Sequence, residues 1–360
     1  MRIELKQVLC PQPKSKIKAS DGKLEGKYKF FTSSPMQTRF IDEANYDKPS
    51  LIFGTGGNAS VHFCDEPFST STDCLVMYGR NKIELESIYN YLKGNISLLE
   101  HGFKGAGLKH ISKDYILAIE IELPSEAIQH EFLQKNRIVD EIIEAKRTQL
   151  LLSEDLVKSR FIEMFGDPVY NTLKLPTKPL SELGSLDRGR SKHRPRNDPR
   201  LLGGPYPLIQ TGEVSNAGLY ITGYQNTYSE LGLKQSKMWK AGTLCITIAA
   251  NIAQTAILTF DACFPDSVVG FIPTDEINII YMHYWFSFFQ KILDEQAPQV
   301  AQKNINLKIL SELQVAIPSI EEQSDFATFV EQVDKSKFEI QQSLEKLEIL
   351  KKSLMQQYFG

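Results

Sequence analysis

Two stretches of this chain, LPSEAIQHEFLQKNRIVDEIIEAKRTQLLLSEDLVKSRFIEMFG (123–166) and IPSIEEQSDFATFVEQVDKSKFEIQQSLEKLEILKKSLMQQYFG (317–360), align without a gap at an offset of 194 residues. Identical pairs run along their whole length: Pro124/Pro318, Ser125/Ser319, Gln129/Gln323, Phe132/Phe326, Val139/Val333, Asp140/Asp334, Leu150/Leu344, Lys158/Lys352, Ser159/Ser353, Phe165/Phe359 and Gly166/Gly360. Upstream the match continues through Lys109/Lys303 and Ile111/Ile305. One residue out of phase, Asn58, Asp73 and Val76 fall on Asn251, Asp266 and Val269. Near each start, GKYKFFTS (26–33) resembles GPYPLIQT (204–211). Solenoid repeats have periods of about 20–50 residues; this far longer period describes two domains of one type.

Each copy ends in a long helix. Pro-Ser supplies a strand stop and a serine N-cap, acids follow in the first turn, and no glycine or proline interrupts the run until Gly166 or Gly360. About 40 residues at 1.5 Å each give roughly 60 Å of helix. In the second helix Phe329, Val333, Ser336, Ile340, Ser343, Leu347, Leu350 and Leu354 keep a 4-3 spacing; in the first, Ile138, Ile142, Ala145, Gln149, Leu152 and Leu156 do the same. That spacing predicts a coiled-coil seam, with the two matched helices pairing with each other.

The remaining segments carry short β-branched and aromatic runs between turn residues, among them SLIFGT (50–55), DCLVMY (73–78), TLCITI (243–248) and SVVGFI (267–272). Helices are predicted over 86–94 and 278–293. The expected architecture is α+β: a first domain over 1–122, a helix within 123–168, a second domain over 169–316 and a second helix over 317–360, as a pseudo-two-fold repeat of α/β domains and paired helices.

The strongest local feature is DRGRSKHRPRNDPRLLGGPYPLIQTG (187–212). Between Arg188 and Arg200, Arg188, Arg190, Lys192, His193, Arg194, Arg196 and Arg200 crowd together against a lone Asp198, while prolines and glycines keep the stretch extended. Forked guanidiniums suit phosphate oxygens and the edge of guanine. Gln210 and Thr211 follow at a turn, and Thr32 and Ser33 end the corresponding stretch of the first domain. Asn58 and Asn251 are matched turn residues whose amides suit adenine edges or simply stabilise their turns. Lys109 and His110, matched to Lys303 and Asn304, stand on a polar loop before the last strand. The whole chain is slightly acidic, at −3, so binding to nucleic acid would rest on such local positive charge.

Other chemistry is sparse. The chain has no GxxxxGK[ST] loop, HExxH or GxSxG motif. FGTGGN (53–58) reads as a turn between strands, because no long helix follows it. The five cysteines lack CxxC spacing and are expected as reduced thiols; His62 and Cys64 have no second ligand pair, so no metal site is expected. With no signal sequence and no membrane-length apolar run, a cytoplasmic protein is expected. The residues thus describe a reader without catalytic residues. Two rivals remain at this level: a coiled-coil adaptor joining two ligand- or peptide-binding domains, and an enzyme using the FGTGGN region for a nucleotide.

The helical tail (321–360), its earlier copy and QKNIN (302–306) resemble the conserved regions of type I restriction–modification specificity subunits. GRSKHRPRNDPRLLGGPYPLIQTGEV (189–214), TYSELGL (227–233) and TLCITIAANIAQTAILTFDACFPDSVVGF (243–271) resemble one of that family's target-recognition domains. The resemblance implies that each domain reads half of a bipartite site on double-stranded DNA, and that the helices pair antiparallel and set the gap. It also implies two methyltransferase subunits and motor–nuclease subunits as partners. S-adenosylmethionine, ATP and magnesium would belong to those partners, leaving no cofactor in this chain.

Overall fold

The structure, a computed structural model, describes residues 2–79, 81–105, 107, 109–249, 252–288 and 305–359. The chain packs into two compact units, Met1–Thr148 with Ile340–Gly360, and Gln149–Glu339. Each combines an α/β domain with a pair of helical segments.

In the first unit, one sheet has the order Cys10–Pro11, Cys74–Tyr78, Ser50–Gly54, Val61–Cys64, antiparallel throughout. A second has the order Arg39–Ile41, Tyr28–Phe31, Phe68–Thr70, the last pair being parallel. Arg2–Glu4 and Glu120–Glu122 pair antiparallel and bring the domain's two ends together. Every residue of Ser50–Gly54 is buried, and Leu51, Ile52 and Phe53 make the middle of this central strand a continuous apolar run instead of an alternating one. The helix Lys82–Gly94 buries Leu85, Ile88 and Leu92, a 3-4 stripe, and its N-terminus is capped by the Asn81 side chain accepting from the Ile83 and Glu84 amides.

The second unit repeats this topology strand for strand. Gly184–Arg188, Val268–Pro273, Leu244–Thr247 and Thr255–Leu258 have the same order, extended by Tyr220–Ile221. Asn226–Tyr228, Leu202–Leu208 and Ala262–Cys263 match the other sheet, extended by Met238–Trp239. Thr177–Pro179 pairs with Gln314–Ala316 as the closing ribbon. The second helix predicted from sequence forms over Ile279–Phe286, capped by Asn278, and residues 289–304 lie outside the described set.

Both long helices are 40 residues, Glu126–Phe165 and Ile320–Phe359. The repeated Pro and Gln lock their entries: the buried Gln129 amide donates to the Pro124 carbonyl at 2.9 Å, and Gln323 to Pro318 at 3.0 Å. Gly166 ends the first helix with φ +71°, a conformation that favours glycine, and a Cβ there would sit 2.5 Å from the Thr172 hydroxyl. The helical segments run antiparallel within each unit. In the first, Lys135 meets Tyr358, Asp140 meets Lys351 and Arg147 meets Glu348. In the second, Arg160 lies over the Phe329 ring and Phe165 meets Phe326 edge-on.

The seam differs from the sequence expectation by one residue on the first helix. Ile138 (56% exposed), Ile142, Leu152 (60%) and Leu156 face outward, whereas Val139 (6%), Ile143 (4%) and Val157 are buried. On the second helix Val333, Ile340 and Leu354 are buried and Leu347 is half-buried, but Leu350 is exposed. The first helix carries two adjacent apolar stripes with the same 4-3 spacing, about 100° apart, and periodicity cannot choose between them. The buried stripe contains Asn136, which hydrophobicity alone passes over; its amide donates to the Asn90 side chain at 3.2 Å, tying the helix to the domain.

Two outcomes test this packing. Val139→Asp should cost several kcal/mol in denaturant unfolding, because it buries an unpaired carboxylate, whereas Ile138→Asp should stay within about 1 kcal/mol of the parent. Equal losses would contradict the seam. Burial also pushes the His283 imidazole down to about 4, with Thr255 hydrogen-bonded to it. The unfolded imidazole titrates near 6.5, so this contribution, on the order of 3 kcal/mol, is full above that pH and lost as pH falls towards 4. His283→Gln should flatten the acid side of a stability–pH curve, and an unchanged slope would refute the assignment.

Candidate nucleic-acid interface

The cationic loop of the second domain leaves the strand Gly184–Arg188 and runs to Leu202–Leu208. Gly189 seats its start against the turn 264–266: a Cβ there would lie 2.3 Å from the carbonyls of both Phe264 and Pro265. Arg188 then donates from Nε (3.0 Å) and Nη2 (2.7 Å) to the Asp266 carbonyl. The Asp266 carboxylate pairs with Arg196 at 2.5 Å and with Arg194 at 3.7 Å. Arg194 is further fixed by donating to the Ser191 and His193 carbonyls.

A second carboxylate anchors the far end. Asp198 accepts from Arg200 through Nε and Nη2, the latter at 2.7 Å, and from the Arg200 backbone amide at 3.0 Å; His193 Nε2 lies 2.9 Å away. The Arg200 hydrogen bonds, followed by that of His193, hold the Asp198 carboxyl well below the usual carboxylate range. Lys192 is exposed and forms no ion pair among the described residues, and Arg190 reaches Asp187 only at 4.0 Å because Lys237 already holds that carboxylate at 2.7 Å. The loop therefore presents cations at fixed positions while keeping a local positive excess.

Arg196, Gln210 and Thr211 converge on one open cleft of about 840 Å3. Its walls add groups that the sequence did not single out: Asn197, Asn216 and the connection Thr222–Gly223–Tyr224–Gln225 leading to Asn226. Gln210 and Thr211 stand at the start of the short helix Thr211–Asn216, where the Glu213 carboxylate accepts from the Gln210 amide. Tyr224 is exposed and meets Phe260 edge-on, offering a ring for stacking. Side-chain amides beside guanidiniums are the groups that read base edges. Asp266 was the other omission; its match to Asp73 was the available signal.

In the first domain, Ser33 and Thr55 both donate to the Asp73 carbonyl, at 2.7 and 2.9 Å, and His110 Nδ1 lies 3.0 Å from the Thr55 carbonyl. Asn58 is exposed in the bend between Ser50–Gly54 and Val61–Cys64, Lys109 is exposed beside His110, and Thr32 is half-buried next to Ser33. Asp73 thus organises a polar patch where its repeat partner Asp266 organises arginines. Asn251, Lys303 and Asn304 lie outside the described residues. His62 Nε2 meets the Ser34 carbonyl at 2.9 Å, and no cluster of three metal-ligating side chains occurs among the described residues.

Comparison with known proteins adds the family. The one described as "Type I restriction modification DNA specificity domain" matches residues 2–152 and 175–351. Among solved structures, the chain is similar to the S subunit of a type I restriction–modification system from M. genitalium, with 16% identity, coverage of 100% of this chain and 96% of that one, and a TM-score of 0.62. It is also similar to a chain from a structure concerning complex assembly and conformational transition of the type I R-M system, with 14% identity, 100% and 97% coverage and a TM-score of 0.61. At these identities the likeness is one of fold.

If Asp266 holds the loop, Asp266→Ala should raise the rate of tryptic cleavage within 188–200 by about tenfold, the equivalent of about 1.4 kcal/mol of lost restraint. An unchanged digestion pattern would show that the carboxylate is not the anchor.

Proposed function

Because the chain belongs to the type I restriction–modification DNA specificity family, we propose that its two domains read the two halves of one split, asymmetric DNA site. The carrying observation is the second domain's fixed cation loop opening onto a polar cleft, in a chain whose total charge is −3. Guanidiniums neutralise phosphates and position the duplex, while amides and hydroxyls in the cleft discriminate bases. The domains share a topology but differ in these groups, so the half-sites differ in sequence. The adaptor alternative gives no reason for arginines clamped around Asp198 and Asp266.

The helices act as the spacer, and continuous 40-residue helices suit that role. They also receive partners. Glu154, Leu156, Lys158 and Ser159 recur at the 194-residue offset as Glu348, Leu350, Lys352 and Ser353, and all are exposed. Residues repeated outside the buried seam fit a surface used twice, by two copies of one partner, an adenine methyltransferase subunit. S-adenosylmethionine chemistry, and any cleavage driven by ATP and magnesium, then belong to partner subunits, and this chain supplies specificity without catalysis. Such work is cytoplasmic; among the described residues no helix is long and apolar enough to cross a membrane.

The spacer role is tested by inserting one heptad in each helix, after Lys146 and before Leu344. Seven residues add about 10 Å, or about 3 base pairs, and the gap in the methylated motif should widen accordingly. An unaltered gap with intact methylation would refute it.

A further inference from the structure

The cation loop of the second domain has a counterpart in the first that the sequence conceals. Topology identifies it: 189–201 joins Gly184–Arg188 to Leu202–Leu208, and the equivalent connection, from Cys10–Pro11 to Tyr28–Phe31, is residues 12–27. Both connections run beside the same turn. Arg190 donates its amide to Phe264 at 3.0 Å, and the Ile17 carbonyl accepts from Thr72 at 2.9 Å, each next to the repeated aspartate, Asp266 or Asp73. Where the second domain has arginines, this segment has lysines.

We propose that Lys14, Lys16 and Lys18 grip the phosphate backbone of the first half-site. The proposal rests on the DNA reading above and extends it to a site in the other domain. All three side chains are exposed, while Ser15 between them is buried and Ile17 is half-buried, so an extended segment with period two turns the lysines outward together. Among the described residues they form no ion pairs, whereas the neighbouring Lys23 and Lys29 are paired with Asp42 and Glu66. Asp21 does not neutralise them through an ion pair; its carboxylate accepts from the Lys18 backbone amide. The lysines also adjoin the patch around Asp73 formed by Ser33, Thr55 and His110. An ammonium is a point charge without the fork that reads guanine, so these residues position the duplex and leave discrimination to the neighbouring patch.

The test uses the full chain in complex with its methyltransferase partner, bound to duplex carrying the methylated motif over a series of salt concentrations. Replacing Lys14, Lys16 and Lys18 together by Gln should make the slope of log K against log salt shallower by about 2–3 and weaken binding at low salt by at least about tenfold. Preference among first half-site sequences should be unchanged. The triple Lys→Arg variant should restore the slope. Lys16→Gln alone, a single change at an exposed position, should change the slope by about 0.9. An unchanged slope in the Gln variants overturns the proposal, as does loss of first half-site preference without a slope change, which would make these base-reading residues. Arg194→Ala with Arg196→Ala is the control. If that variant loses binding while the lysine variants do not, only this inference fails. If neither matters, the DNA reading itself falls.

Discussion

One contact, made twice, holds the arrangement together. Phe132 meets Phe359 edge-on at 5.0 Å in the first unit, and their repeat partners Phe326 and Phe165 meet at 5.5 Å in the second. An antiparallel pairing of two copies requires this equivalence, because each position on one helix must face the partner of the position it faces on the other. The rings bury large apolar area and contribute about 0.5–1.5 kcal/mol per pair beyond that burial. In the second unit Phe161 and Tyr281 extend the cluster and join the helices to the domain's own helix Ile279–Phe286.

With that frame invariant, variation is confined to the ends of the sheets. The second domain adds a strand to each sheet and the helix Thr211–Asn216, and of these additions that helix and the strand Tyr220–Ile221 line its cleft. The first domain has only a short connection between Tyr28–Phe31 and Arg39–Ile41 at that place. Charge is handled differently as well. Clustered guanidiniums repel one another, and two carboxylates relieve that repulsion while fixing geometry; the lysines of 12–18 stand apart and need no such clamp. An acidic total charge keeps the field of the chain from binding nucleic acid indiscriminately, so recognition depends on where cations are held.

The repeat, the helix ends and the α/β character of the domains were legible because each has a local signal: identity at a fixed offset, a Pro-Ser start, alternation of apolar runs and turns. The buried stripe of the first helix was not, since Ile138 and Val139 belong to equally spaced stripes and only the bond from Asn136 to Asn90 and the ring contacts distinguish them. The arginine loop was visible as a charge run, but its anchor was not, for Asp266 lies 66 residues from Arg200 in a different strand connection. The lysine segment escaped for a related reason. Its likeness to the arginine loop lies in strand order, and no residue alignment carries it.

Two different readers on one spacer would specify a split site. The measurement that bears on it most directly is a genome-wide map of methylated adenine in a host carrying this chain with the methyltransferase subunit proposed as its partner. The expected result is one motif of two unlike halves separated by a fixed number of unspecified bases. A continuous or palindromic motif would contradict it.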